Sequence, residues 1–330
     1  MIKKIAYILK SAILTPLLLG GVGGGLLCAC YHDQHELQPN QYDGKPVGYL
    51  TPLLLWEDQA DASAAIDDIR FTVSGTNGTT VTHNFTDTES AAEWLQQLPV
   101  GDYDLLVTVD MDEAHGYVLE NVGADTRSTT RADEEFHTVL PDTRVSLAEP
   151  SSSPAQAWYA VTHATVREDE ITVAEFRLQR LLSELSVIVS NVPTGAAITA
   201  SVERVAHDVL LTHRDGQGRY GVADREDYLT VSLGALAADP ADAATLRHDD
   251  HTLMPTASGQ SRCYLTLSVT TPDGTRLTYL ADAPRMECGR AYVVELDYTK
   301  LRPYMLLEAF TINDWTEGWT ISGEIINPDR

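Results

Sequence analysis

The sequence predicts an all-β protein built from two tandem β-sandwich domains, and three observations carry that reading. Runs rich in β-branched and aromatic residues, of strand length, recur along the chain from Tyr49 onward. Clusters of Gly, Pro, Asp and Asn, the residues turns demand, separate them. Only one stretch after the first thirty residues has a credible helical period. A chain of 330 residues, 43% hydrophobic and without a low-complexity tract, is long enough to bury two cores of ordinary size.

The N-terminal segment comes first. Lys3, Lys4 and Lys10 precede an apolar run from Ser11 to Leu27, which leads to Cys28-Ala29-Cys30. This is the pattern of a secretory signal peptide covering residues 1–29, cut between Ala29 and Cys30. A membrane-spanning helix needs about 20 apolar residues, and here Pro16 and five glycines between 20 and 25 break that run. Cys28 follows bulky Leu26-Leu27, whereas Cys30 follows a small residue, so Cys30 is the expected lipid acceptor. Residues 30–47 are polar, contain two prolines and lack a hydrophobic period, and read as a tether.

The first sandwich is expected over 48–180. Its strands are Tyr49–Trp56, Asp68–Ser74, Thr79–Thr86, Asp102–Met111, Gly116–Val122, Phe136–Leu147, Ala157–Arg167 and Ile171–Arg180. Within it, Thr86 and Glu89 have capping-box spacing, and Ala91, Ala92, Trp94, Leu95 and Leu98 supply an apolar stripe ended by Pro99. The second sandwich, 181–330, is expected to hold Glu184–Val192, Ala197–Val205, Tyr228–Leu233, Arg262–Thr270, Arg276–Ala281, Ala291–Tyr298, Tyr304–Ile312 and Trp319–Ile326. Tyr103, Leu105, Val107 and Val109 alternate with polar residues, and so do Tyr292, Val294, Leu296 and Tyr298, which predicts two half-buried strands. Asn77-Gly78, Asp215-Gly216 and Pro272-Asp273-Gly274 sit where hairpins turn. A glycine shortly before each of the two alternating strands, Gly101 and Gly289, is a weak internal echo.

Composition excludes some partners and names none. The net charge is −25, and removing the leader takes away three lysines, so nucleic acid and anionic lipid surfaces are repelled. The acids are dispersed, as on a solvated surface.

Few residues carry the signature of chemistry. His248-Asp249-Asp250-His251 holds four metal-ligand types, but neighbours in sequence project to different sides, so the segment reads as an exposed loop and no metal site is expected. HExxH, GxSxG and P-loop motifs are absent, and the protein is expected to be neither an enzyme nor a cofactor binder beyond covalent lipid on Cys30. Export permits a disulfide between Cys263 and Cys288, but their separation of 25 residues fixes nothing about geometry and leaves buried or unpaired thiols open. Asn77-Gly78-Thr79 and Asn84-Phe85-Thr86 match the glycosylation pattern and are given no role. A coplanar exposed display of Trp158, Trp315 and Trp319 would instead favour a glycan-binding surface lipoprotein.

Leu27-Cys28-Ala29-Cys30 resembles a bacterial lipobox, in which the cysteine thiol takes a diacylglyceryl group. Together with Leu98–Val107, Phe176-Arg177-Leu178, Gly289–Tyr298, Phe310–Trp315 and Trp319-Thr320-Ile321, the chain resembles the fimbrillin superfamily of Bacteroidales type V fimbriae, in its FimB-like anchor branch. That resemblance implies two transthyretin-like Greek-key sandwiches and joining to fimbrial stalk subunits by strand exchange or augmentation. It also implies a lipid-anchored place in the cell outer membrane at the fimbrial base. Stalk subunits of the superfamily lose their first strand to a cut after an arginine. Here no arginine follows Cys30 before Arg70, and Lys45 precedes Pro46, so the strand Tyr49–Trp56 is expected to stay. The stretch Tyr304–Ile326 is then a candidate contact with the stalk, or simply the last strands of the second sandwich.

Overall fold

In a computed structural model, the structure describes residues 40–57, 65–122, 139–224, 226–302, 306–308 and 324–325. The leader, Cys28 to Cys30, Trp315 and Trp319 lie outside the described residues.

The first sandwich is one seven-stranded sheet folded into two layers. One runs β3 (Thr80–Phe85), β2 (Ile69–Gly75), β5 (Gly101–Val109), β8 (Trp158–Val166); the other runs β9 (Ile171–Arg180), β1 (Val47–Trp56), β4 (Gln96–Pro99). They meet at a corner of two residue pairs, Trp158 with Arg180 and Tyr159 with Gln179. Between the layers lie Leu50, Phe71, Leu98, Tyr103, Leu105, Phe176 and Leu178, all buried. Phe71 is the aromatic centre, touching Phe85, Trp94 and Phe176 at ring-centroid distances of 5.3–5.8 Å.

The second sandwich faces β15 (Ala237–Ala238), β16 (Leu246–Leu253), β10 (Ser183–Ser190) and β19 (Ala291–Asp297) against a larger sheet. That sheet runs β14 (Tyr228–Ala235), β11 (Ala197–Ala206), β17 (Cys263–Thr270), β18 (Arg276–Ala283), β20 (Leu306–Glu308) and β21 (Glu324–Ile325). Its core is aliphatic, with Leu185, Val187, Val202, Leu265, Leu267 and Val294 fully buried.

A fourth sheet ignores the expected boundary at 180. β6 (Tyr117–Val122) and β7 (Asp142–Leu147) precede it in sequence, yet β7 pairs antiparallel with β12 (Asp208–Arg214), which pairs in turn with β13 (Tyr220–Ala223). Arg144 of β7 sits 3.4 Å from the buried Asp208 carboxylate and also binds Asp224. Tyr117, Val145 and Leu147 therefore belong to the second core. The same crossing explains why β5 departs from the half-buried expectation. Tyr103, Leu105, Val107 and Val109 face the first core, while Leu106 on the opposite face packs into the second. Trp158 and Tyr159 divide the same way. The strand Ala291–Asp297 does keep the expected alternation, with Tyr292, Val294 and Leu296 buried and Glu295 exposed.

The helix is shorter than its apolar stripe predicts. α1 covers Thr88–Glu93 and is capped by Asp87, not Thr86: the Asp87 carboxylate accepts from the Ser90 amide at 2.7 Å. After Trp94 the chain turns extended, because Gln96–Pro99 pair with Leu50–Val47 and seat Leu98 in the core. Tertiary pairing overrides helix propensity there.

Candidate attachment site

β1 is the first strand that the sequence reading expects the chain to keep, and its setting follows from the sequence around it. It runs parallel to β9 in register from Tyr49–Ile171 to Trp56–Leu178. Leu50 is fully buried between the sheets. Gly48 is required by a close approach: a Cβ there would overlap the Arg167 carbonyl oxygen. Among the described residues the other side of β1 is covered by β4 only over Val47–Leu50, and an edge opens at Thr51.

Pro52 stands on that edge, and the backbone shows which way it faces. The amides of Tyr49 and Glu57 donate to the Glu170 and Leu178 carbonyls of the β9 side, at 2.8 and 3.0 Å. Successive strand amides point to opposite sides, so even-numbered residues face away from β9 and the amide proline lacks is one on the open edge. A missing donor there blunts the edge against stray pairing. α1 packs against β1 as well.

The expected tether is bonded to the domain before its predicted end. The Gln41 amide donates to the Gln97 side-chain oxygen at 3.0 Å, and the Tyr42 hydroxyl to the Gln97 carbonyl at 3.3 Å. Gln97 is itself buried and donates to the Tyr49 hydroxyl. Lys45 lies in the turn that follows, bonded from its amide to the Tyr42 carbonyl. Arg70, the first arginine after Cys30, is held in β2 between two neighbours, opposite Asn84 on one side and Thr108 on the other. A backbone laddered on both sides is closed to a protease.

At the other end, β20 adds parallel to β18 through Leu280–Leu306 and Ala281–Leu307, and β21 pairs with β20. These strands lie at the rim of the six-stranded sheet. The rest of Tyr304–Ile326 is outside the described residues.

The remaining candidates fall into place one by one. His248–His251 is not a loop but part of β16, and a register shift opposite Leu185–Val187 leaves Asp249 and Asp250 without partners in the ladder. That bulge overturns the alternation that would separate the histidines: His248 Nε2 and His251 Nδ1 lie 3.1 Å apart. Burial, aided by the charge of His248, pulls His251 down to about 4. Among the described residues no third ligand atom joins them. Cys263 and Cys288 are free thiols. Burial pushes Cys263, bonded to the Thr256 hydroxyl at 3.1 Å, up to about 11, and Cys288, beside the Tyr159 hydroxyl, up to about 12. Thiols so shifted are poor nucleophiles at neutral pH. Trp158 is buried edge-on to Trp56, and half-buried Trp94 packs against Phe71 and stacks on His83.

The profile described as fimbrillin-A associated anchor proteins Mfa1 and Mfa2 matches residues 40–319. The chain belongs to that family of fimbrial anchor proteins. A solved structure of a candidate polysaccharide-binding protein from Bacteroides thetaiotaomicron superposes with a TM-score of 0.50 at 12% identity, covering 86% of this chain and 99% of that one. The fimbrial anchor protein Mfa2 from Porphyromonas gingivalis gives 0.45 at 14% identity, over 84% and 99%. At such identities the first likeness shows the fold alone. A search of the curated proteins gives no match. Membership of the anchor family makes the role fimbrial and the expected associates fimbrial subunits at the cell surface. Among the described residues no helix is long and apolar enough to cross a membrane.

Proposed function

We propose that this chain is a non-enzymatic, lipid-anchored subunit that holds a fimbria to the outer membrane, through an acylated Cys30 and a first strand that is never removed. The observation that carries the reading is the seat of β1: parallel to β9 over its length, locked at Gly48 and Leu50, with Arg70 laddered on both sides. The cut that would free such a strand has no accessible arginine in the described residues before β2. One acyl chain binds a membrane only reversibly, whereas a multiply acylated cysteine stays.

With β1 occupying its own groove, the contact to the stalk falls to the opposite end, where β20 and β21 sit at a sheet rim and main-chain pairing can be extended or exchanged. Cys30→Ala in the native host tests the anchor. Fimbriae should appear in the medium rather than on cells, with the variant at their base; fimbriae retained on cells would refute it. Deleting residues 304–330 tests the contact, and should leave an anchored subunit that no longer co-purifies with stalk protein.

A further inference from the structure

Outside the attachment site, one group of side chains converges without an assigned purpose. His115 closes a 3-10 turn, Glu113–His115, just beyond β5. Its Nδ1 lies 2.6 Å from the Asp112 carboxylate, which fixes the ring and leaves Nε2 turned outward. That nitrogen faces two more acceptors, Asp67 Oδ1 at 3.2 Å and Asp110 Oδ1 at 4.0 Å. Asp110 is 5% exposed and fixed by the Asp67 and Asp68 amides, each donating to Oδ1 at 3.1 Å. Three potential ligands from two stretches of chain thus meet, each within 4.8 Å of the others.

We propose that Asp67, Asp110 and His115 form a binding site for a zinc-type divalent cation, with Asp112 as the positioning residue behind the imidazole. Zinc bonds of about 2.0–2.1 Å at tetrahedral angles place ligand atoms roughly 3.3 Å apart, which the His115–Asp67 pair already matches and the Asp110 carboxylate reaches by a shift of under about 1 Å. A carboxylate on the far ring nitrogen is the usual support of a metal-bound histidine. The imidazole favours a borderline metal over calcium, which takes oxygen ligands. Water fills the fourth position. The ion ties the run before β2 to the corner at which β5 leaves the first core and β6 enters the second.

The competing occupant is a proton: an imidazolium paired with Asp112 and Asp67 satisfies the same geometry. Untagged chain from residue 31, dialysed against micromolar zinc chloride and counted by elemental mass spectrometry, separates the two. The site predicts one zinc per chain that excess calcium does not displace, and a saturating rise in melting temperature. Asp67→Asn, at an exposed carboxylate where folding is not at stake, and His115→Gln each weaken binding by more than the roughly tenfold that losing an outer partner alone costs. No bound zinc in the wild type, zinc retained equally by both variants, or displacement by calcium overturns the proposal. The cluster is then an ion pair.

Discussion

Each sandwich places its first strand parallel to a much later one, β1 beside β9 and β10 beside β19, and the two pairs differ in what lies on the other side. β10 has β16 along it from Ser183 to Val189, and it follows β9 through Leu181 and Leu182, both fully buried. β1 has β4 for only four residues, then an edge blunted by Pro52, and it is entered from a polar segment. One first strand is built into the middle of the molecule; the other is fastened at one end and open at the other. Under the proposed function it is the retention of β1, and not of β10, that sets this subunit apart.

The sharpest way to break this comparison is to put a charge under each strand. Val187→Asp places an unpaired carboxylate in the closed core and should cost about 4 kcal/mol or more, abolishing cooperative urea unfolding. A charge at half-buried Leu54, beyond the reach of β4, should leave a folded protein with a lowered urea midpoint. Equal damage from both would erase the distinction. Leu50→Ala should cost about 2–5 kcal/mol, and Gly48→Ala should loosen the strand entrance, seen as faster hydrogen exchange in β1 with β10 unchanged.

A pH series sharpens the β10 side. His251, opposite Leu185, is neutral in the folded state down to about pH 4 but takes up a proton near pH 6.5 when unfolded. The unfolded chain binds more protons in that window, so stability falls with falling pH by about 1 kcal/mol per unit. His251→Gln should flatten that part of the pH dependence, while changes in β1 should not. The smallest effect belongs to the cover over β1: Asp87→Ala removes the α1 cap and should lower the urea midpoint slightly.

Strands with simple alternation were legible from sequence. Ile171–Arg180 and Ala291–Asp297 have the burial their residue order implies, and the Asn77-Gly78 and Pro272–Gly274 hairpins turn where expected, with positive φ at Gly78 and Gly274. β16 was not, because its polar centre, Arg247 to Asp250, looks like loop until the bulge opposite β10 is known. Nor was β4, whose Gln96-Gln97-Leu98 continues a helical stripe and is drawn out by pairing with β1. The passage of β6 and β7 into the second half is a long-range pairing without local signature, and with it Leu106 is buried in the second core opposite a row that faces the first. At the attachment site, Gly48 and Pro52 gave no signal before their neighbours were placed.

Intact-mass and N-terminal analysis of the protein extracted from outer membranes of its native host tests the central claim most directly. Retention of the first strand predicts a chain beginning at an acylated Cys30 and running unbroken through Trp56. A chain beginning after Arg70 and carrying no lipid would contradict it.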